Sequence, residues 1–299
     1  MSQNIIHYQH CPLCKSTSIS KVMLVKDHSV SKETFEIWQC TVCKLRFTQD
    51  VPDESAIGRY YKSPDYISHS NTRTGLINKL YHVVRNFTLG QKKRLVSKRT
   101  GLNKGSLLDI GSGTGTFAAF MKKNGWSVTG LEPDAETRQN ALETYDIALK
   151  PSEALFQLTP QSFNAITMWH VLEHVHDLHG YLGQICKLLK PGAVLFIAVP
   201  NYTSADAAKY QEYWAAYDIP IHLYHFSPAS MRKLLAIHGL KVKSIKPMWF
   251  DSFYVSLLSE KYKTGKSQLL MGFSEGLMSN LKALSDNSKC SSLIYIAEL

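Results

Sequence analysis

Residues 107–117, LLDIGSGTGTF, have the residue types and spacing of a loop that binds a cofactor. A short buried strand is predicted before the glycines, and a helix is predicted from Thr116 onward. Glycines at alternate positions leave no side chain between the backbone and an incoming ligand. These glycines are Gly111, Gly113 and Gly115. Strand, glycine turn and helix together form the entry of a nucleotide-binding α/β unit.

The glycine spacing and a nearby carboxylate indicate which cofactor the loop binds. A dinucleotide fingerprint would place its third glycine at position 116, where Thr116 stands. Asp109 lies two positions before Gly111. A carboxylate there would repel a pyrophosphate but suits S-adenosylmethionine (SAM), which carries an ammonium and a sulfonium and no phosphate. The stretch resembles motif I of the class I SAM-dependent methyltransferases. A tight turn without a ligand is the alternative.

A second carboxylate follows the loop at a suitable distance. Residues 126–132 predict a second strand that ends in Glu132, about 20 residues past the loop, where an acidic side chain can bind both ribose hydroxyls. Asp134 then suits the N-cap of a helix. In the family that the loop resembles, Glu132 is the ribose ligand.

Later segments extend the resemblance over about residues 105–250. The stretch 163–177, FNAITMWHVLEHVHD, and the LKPG at 189–192 are very similar to later class I motifs. The resemblance implies a Rossmann-like sheet of seven strands with the last strand antiparallel, and it makes Met168 and Trp169 cofactor contacts. We expect a weak third strand within 141–150 and the last two strands at 240–245 and 292–297.

Four of the six cysteines form two C-x-x-C pairs near the start of the chain. Each pair places two thiolates on one tight turn, and two such turns complete a tetrahedral site for zinc. The pairs are Cys11 with Cys14 and Cys40 with Cys43. The segment between them reads as strands, which is typical of a zinc ribbon. A domain this small lacks the core to fold unaided, so the zinc is predicted to be structural.

The predicted organisation has three parts. Residues 1–50 form the zinc ribbon, residues 51–104 a helical linker or lid, and residues 105–299 the methyltransferase domain, with a helical insert at about 253–284. The linker contains a turn-rich, tyrosine-rich stretch around Tyr66. This segment either covers the cofactor or simply connects the two domains.

The stretch His170–His174 is a competing motif, H-x-x-E-H. On a helix it would place two imidazoles and a glutamate together, as in inverted zinc proteases. It also resembles the E-x-x-E-H stretch of ubiquinone-biosynthesis O-methyltransferases, which holds a divalent metal. Glu173 and His174 match that pattern and His170 does not, so no metal is predicted there. Structural hydrogen bonding is the alternative role.

The acceptor side is expected after a predicted buried strand at 193–199, because ligands of open α/β sheets lie outside the carboxyl ends of the strands. Residues 222–227, HLYHFS, resemble the H-x-x-x-F-S segment of sugar C-methyltransferases, which also carry a zinc module. Their Glu-His pair serves in catalysis, and Ile221 stands where the glutamate would be. Histidine titrates near neutral pH, so His222 is the predicted general base. His225 and Tyr66 are the other candidates.

Composition and charge limit the location and the function that the sequence predicts. The 299 residues carry a formal charge of +10, 44% are hydrophobic, and no apolar run is long enough to span a bilayer. The first ten residues lack a signal-peptide pattern, so we expect a cytoplasmic protein. The predicted function is methyl transfer from SAM to a small-molecule acceptor, for example a sugar or a lipid-linked metabolite. Two alternatives stay open: an RNA methyltransferase that uses its ribbon for recognition, and a non-catalytic module that senses SAM.

Overall fold

A computed structural model describes residues 4–61, 76–266 and 268–299, with only the backbone of 76–86. The chain divides into two compact units. The ribbon unit comprises residues 1–67, 172–179 and 198–295, and the glycine-loop unit comprises residues 68–171, 180–197 and 296–299. The predicted boundaries at residues 50 and 104 stay predictions of domain organisation.

The structure's strands and helices are numbered in chain order. The strands are β1 (Ile5–Ile6), β2 (Ile19–Lys26), β3 (Thr34–Cys40), β4 (Arg46–Thr48), β5 (Val51–Pro52), β6 (Ser106–Ile110), β7 (Ser127–Leu131), β8 (Phe163–Trp169), β9 (Leu189–Pro200), β10 (Tyr224–His225), β11 (Lys241–Pro247) and β12 (Ser292–Glu298). The helices are α1 (Leu76–Thr100), α2 (Thr116–Lys123), α3 (Ala135–Tyr145), α4 (Leu178–Leu188), α5 (Ala205–Tyr210), α6 (Pro228–Ile237), α7 (Asp251–Thr264) and α8 (Leu269–Ser285).

The ribbon unit is built on a four-stranded sheet of order β10-β4-β3-β2. Strands β2 and β3 form an antiparallel hairpin with a bulge between Lys21 and Met23. Val25 and Ile37 from this hairpin are buried in one apolar cluster with Trp214 and Tyr217. Burial of such large side chains supplies the main favourable free energy for holding the later segment on the ribbon.

The glycine-loop unit starts from three parallel strands. Strand β6 pairs in parallel with β7 on one side and with β8 on the other. Strands buried on both faces read as continuous apolar runs, as Leu107 and Leu108 do. Helix α2 follows the loop and buries Phe117, Ala118 and Met121.

Within the described residues, the main sheet is mixed and has six strands, in the order β11-β12-β9-β8-β6-β7. The Rossmann-like class is confirmed, but the prediction of seven strands is wrong by one. The expected third strand is reduced to one parallel bridge between Leu131 and Lys150. Pro151 follows at once, and because proline has no N–H to donate, the ladder does not extend.

Helices α7 and α8 occupy the stretch for which a helical insert is predicted. They pack closely, since a Cβ on Gly272 would lie 2.7 Å from the Leu257 Cα and one on Gly276 would lie 2.7 Å from the Phe253 Cα. Among the described residues, no helix has the length and apolar character needed to cross a membrane.

Candidate functional site

The glycine loop turns sharply between β6 and α2. Gly111 has φ of 68°, and a Cβ there would lie 2.3 Å from the Val171 side chain. Gly113 has φ of 52° with open space where a Cβ would be. Left-handed φ values favour glycine, and the open space at Gly113 lets a ligand approach the backbone. Gly115 also has a left-handed φ and leads directly into α2.

Asp109 lies at the base of this loop. Its side chain is 1% exposed, and Oδ1 accepts a hydrogen bond of 2.6 Å from the Thr167 hydroxyl. Burial raises the pKa of Asp109 to about 6, although the Thr167 hydrogen bond acts in the opposite direction. A cationic ligand would favour the ionised carboxylate and offset that burial.

Glu132 connects the end of β7 to the loop. Its carboxylate accepts hydrogen bonds from the Gly113 N–H at 2.9 Å and from the Asp134 N–H at 3.1 Å. Burial raises the pKa of Glu132, and the two backbone donors oppose this shift. Each carboxylate oxygen can accept more than one hydrogen bond, so ribose hydroxyls can be bound by the same group.

Met168 and Trp169 end β8, and their predicted role in cofactor binding stays a prediction. Met168 is fully buried and pairs with Ile110 across the parallel ladder. The Trp169 ring lies edge-on to Phe117, with centroids 5.5 Å apart, and the Lys92 Nζ lies 4.2 Å from its centroid. The Trp169 Nε1 is a buried donor without an acceptor among the described residues. An incoming polar ligand would satisfy such a donor.

The residues around the glycine loop therefore fit SAM. They offer two carboxylates, an open approach to the backbone at Gly113 and an unsatisfied indole N–H. The two carboxylates would disfavour a pyrophosphate group at the same position.

The two C-x-x-C pairs form nearly identical turns. The Lys15 N–H donates to the Cys11 carbonyl at 2.9 Å, and the Lys44 N–H donates to the Cys40 carbonyl at 3.0 Å. Both lysines have φ of 61°, a left-handed value that is uncommon for a residue with a side chain. The two matching turns bring the four cysteine sulfurs close together.

The sulfur positions fit a tetrahedral metal. The Cys11–Cys43 and Cys14–Cys40 Sγ distances are 3.5 and 3.6 Å, and all four sulfurs lie within 4.8 Å of one another. A Zn–S bond of about 2.3 Å would place tetrahedral sulfurs about 3.8 Å apart. A hydrogen bond from Cys43 lowers the pKa of Cys11 to about 5, and the pKa of Cys43 is raised in return.

A second group of possible ligands lies in the ribbon unit and is called here the acid–base cluster. It consists of Glu173, His174 and His222, with donor atoms within 4.8 Å of one another. Glu173 is fully buried, and the His174 and His222 rings meet edge to face with centroids 4.6 Å apart. A carboxylate and two imidazoles can move protons or bind a divalent cation.

Backbone carbonyls set the tautomers of both rings. The His222 Nδ1 lies 2.9 Å from the Ala216 carbonyl, and the His174 Nδ1 lies 3.1 Å from the Ile221 carbonyl. A carbonyl only accepts, so in the neutral rings Nδ1 carries the proton and Nε2 carries the lone pair. Each Nε2 is thus the basic atom of its ring.

Burial keeps the neutral form of His174 dominant. Burial, with a smaller contribution from the neighbouring His222, lowers the pKa of His174 to about 4. Burial also raises the pKa of Asp218, four residues before His222, to about 6. At neutral pH the cluster therefore contains an uncharged His174.

The ribbon holds the loop that carries His222 and His225. Strand β10 pairs antiparallel with β4, and the Thr48 hydroxyl donates to the His222 carbonyl at 2.8 Å. The same hydroxyl lies 3.1 Å from the His225 Nε2. Burial moves the pKa of His225 well below its usual range. Tyr66, the third candidate, lies outside the described residues.

The cluster also involves residues that sequence reasoning missed. The Tyr61 hydroxyl lies 3.2 Å from the His174 Nδ1, and the Leu223 N–H donates to the Glu173 carbonyl at 2.8 Å. Thr48 and Tyr61 carry no motif that distinguishes them in the sequence. In the sequence, the cluster is indicated only by two separate motifs, the E-H pair at 173–174 and the H-x-x-x-F-S segment at 222–227.

Comparisons with known proteins agree with this fold and loop. A family model described as a methyltransferase domain matches residues 85–245. The mitochondrial ubiquinone biosynthesis O-methyltransferase of Homo sapiens is 29% identical over 49% of this chain and 44% of its own length. The ubiquinone biosynthesis O-methyltransferase of Xanthomonas euvesicatoria pv. vesicatoria is 30% identical over 52% of this chain and 71% of its own.

A solved structure from Galdieria sulphuraria, described as a candidate sarcosine dimethylglycine methyltransferase, shares the fold. Its TM-score is 0.50 at 15% identity, and the match covers 74% of this chain and 87% of that one. The fold and the glycine loop define a class I SAM-dependent methyltransferase. Since the family model covers more than half of the sequence, the chain belongs to the methyltransferase-domain family.

Proposed function

We propose that the protein methylates an oxygen of a small-molecule acceptor with SAM as the methyl donor. The observation that carries this proposal is the glycine loop with its two buried carboxylates, Asp109 and Glu132. The curated relatives support an oxygen acceptor, since their names are those of O-methyltransferases. A sugar or a lipid-linked metabolite remains the proposed acceptor class.

His222 is the proposed general base. Bound SAM would supply an electrophilic methyl carbon on a positively charged sulfur. The His222 Nε2 would take the proton that the acceptor hydroxyl loses as it is methylated. The Ala216 carbonyl holds the Nδ1 proton and so keeps Nε2 basic. Positioning and proton transfer together lower the barrier.

The four cysteines are proposed to hold a structural zinc ion. Zinc would be bound by Cys11, Cys14, Cys40 and Cys43, with no position left open for substrate. Its role would be to hold β3 and β4, and β4 in turn pairs with the segment around His222.

Calorimetric titration of the protein with SAM and with NAD tests the cofactor proposal. SAM should bind with micromolar affinity, and NAD should give no heat. NAD binding without SAM binding would end this proposal. Formation of S-adenosylhomocysteine with any hydroxylated acceptor would exclude the reading of the protein as a SAM sensor.

A further inference from the structure

Helix α8 has its small residues inside and its large apolar residues outside. The buried residues are Gly272, Gly276, Ser279, Asn280 and Ala283. Eight apolar side chains on the same helix are between 45% and 90% exposed: Leu269, Leu270, Met271, Phe273, Leu277, Met278, Leu281 and Leu284. A helix that serves only to cover a core shows the opposite arrangement.

The inner face of α8 is already occupied, so the outer residues are not misplaced core residues. Gly272 and Gly276 let the helix approach α7, where a Cβ on either glycine would lie 2.7 Å from a Cα of that helix. The Ser279 hydroxyl donates to Asp206 at 3.0 Å, and the Asn280 amide donates to the Trp249 carbonyl at 2.8 Å. These specific polar contacts fix the orientation of the helix. The exposed apolar side chains therefore form an outer face that is separate from these contacts.

Exposed lysines precede and follow this face along the chain. Exposed lysines lie in the last turn of α7, in the connection to α8, on α8 itself and just after it: Lys261, Lys263, Lys266, Lys282 and Lys289. The same stretch contains two acidic residues, and one of them, Glu275, is 2.5 Å from Lys209 in an ion pair. Five lysines against two acidic residues give the stretch that carries the apolar face a net positive charge.

We propose that the outer face of α8 binds to the surface of an anionic lipid bilayer. An apolar stripe with leucine, phenylalanine and methionine, flanked by lysines, is suited to lie at the headgroup boundary. Its side chains enter the apolar edge while the ammonium groups contact lipid phosphates. A second copy of this chain fits less well, since two such positively charged stretches would be brought together.

Vesicle flotation tests this proposal with the whole 299-residue chain. We expect it to float with vesicles of phosphatidylcholine and phosphatidylglycerol, and much less with phosphatidylcholine alone. The triple variant Leu270→Ser, Leu277→Ser, Leu281→Ser should bind about tenfold or more weakly, because apolar burial in the interface is lost. The variant Lys263→Glu, Lys266→Glu should also bind more weakly, and raising the salt should release the wild type.

A matched control uses exposed apolar residues of the ribbon. Val22 and Leu24 are 39% and 51% exposed on β2. The variant Val22→Ser, Leu24→Ser should float like the wild type. The proposal is overturned if anionic vesicles bind no protein, or if the α8 triple variant binds as well as the wild type. A dimer seen by light scattering that the triple variant dissociates would instead make this face a self-interface.

Discussion

The glycine-loop site and the acid–base cluster differ in how far along the chain their parts lie. The hydrogen bond from Gly113 to Glu132 spans 19 residues. In the cluster, His174 contacts the carbonyl of a residue 47 positions away, and Thr48 donates to the His222 carbonyl across 174 positions. The first site is built by neighbouring parallel strands. The second is built by separate segments that are held on the strands of the ribbon unit.

Because of this difference, the two sites depend on different contacts for their geometry. The glycine loop depends on backbone conformation, which β6, β7 and α2 fix locally. The acid–base cluster depends on side chains whose positions follow from the pairing of β10 with β4. A change in the ribbon should therefore disturb proton transfer more than cofactor binding.

Removal of the metal ligands should have the largest effect. In the variant Cys11→Ser, Cys40→Ser we expect zinc to fall from about one per chain to none, because each remaining turn offers a single thiolate. Turnover should be lost with it, since metal ligation is coupled to folding of the ribbon. Affinity for SAM should stay within a few-fold of the wild type. Elemental analysis, calorimetry and a methyl-transfer assay measure the three quantities.

Cys186→Ser is the control, because this half-buried thiol lies outside the cysteine cluster. It should leave the zinc content unchanged. If the double variant kept its zinc, the metal would lie elsewhere and the acid–base cluster would be the first place to examine. If SAM affinity fell as much as turnover, the two regions would not be separable.

Substitution of His222 should have the next largest effect. With an acceptor in hand, His222→Gln should reduce turnover by about 100-fold or more while SAM affinity stays near wild type, because the general base is lost. His7→Gln, at an exposed ribbon histidine, is the control. Equal losses of binding and turnover would indicate a structural role. Turnover within a few-fold of the wild type would direct attention to His225 or Tyr66.

The two sites also differ in how much of them the sequence reveals. The glycine spacing, Asp109 and Glu132 lie in one local unit, so the sequence predicts the loop, the strands on both sides and α2. The cysteine pairs are similarly local. The third strand is overpredicted because a single bridge at Lys150 and a full strand leave the same short apolar signal.

The acid–base cluster cannot be predicted from the sequence in the same way. Glu173, His174 and His222 were each visible in motifs, but nothing in the sequence brings residue 174 to residue 222. Their meeting depends on Thr48 and on the pairing of β4 with two residues of a later loop. Long-range pairing of short strands leaves little periodic signal, so tertiary contacts decide it.

Glu132→Ala should affect the glycine-loop site. Loss of a charged hydrogen-bond acceptor should weaken SAM binding by about 1–3 kcal/mol, as measured by calorimetry. The substitution also removes the hydrogen bond from the Gly113 N–H, which adds to the loss. Glu136→Ala, on the exposed first turn of α3, should bind SAM like the wild type. Unchanged affinity in Glu132→Ala would contradict the assignment of the ribose ligand.

The smallest expected effect is a pH dependence of stability that His174 confers on the cluster. Its pKa is about 4 in the folded protein and 6.5 in an unperturbed chain. Between these values the unfolded chain binds a proton that the native protein does not, so stability falls as pH falls from 6.5 toward 4. Relative to His174→Gln, the wild type should lose about 1–2 kcal/mol between pH 7 and pH 5. Urea unfolding at the two pH values measures this difference.

Asp218→Asn provides a variant with the opposite sign. Burial raises the pKa of Asp218 from 3.8 to about 6, so here the native state binds the extra proton. Relative to this variant, the wild type should therefore lose stability as pH rises from about 4 to 6. Asparagine also tolerates the left-handed φ of 37° at this position, so the backbone should be kept. Equal pH slopes in both variants would show that His174 and Asp218 do not set the charge of the cluster.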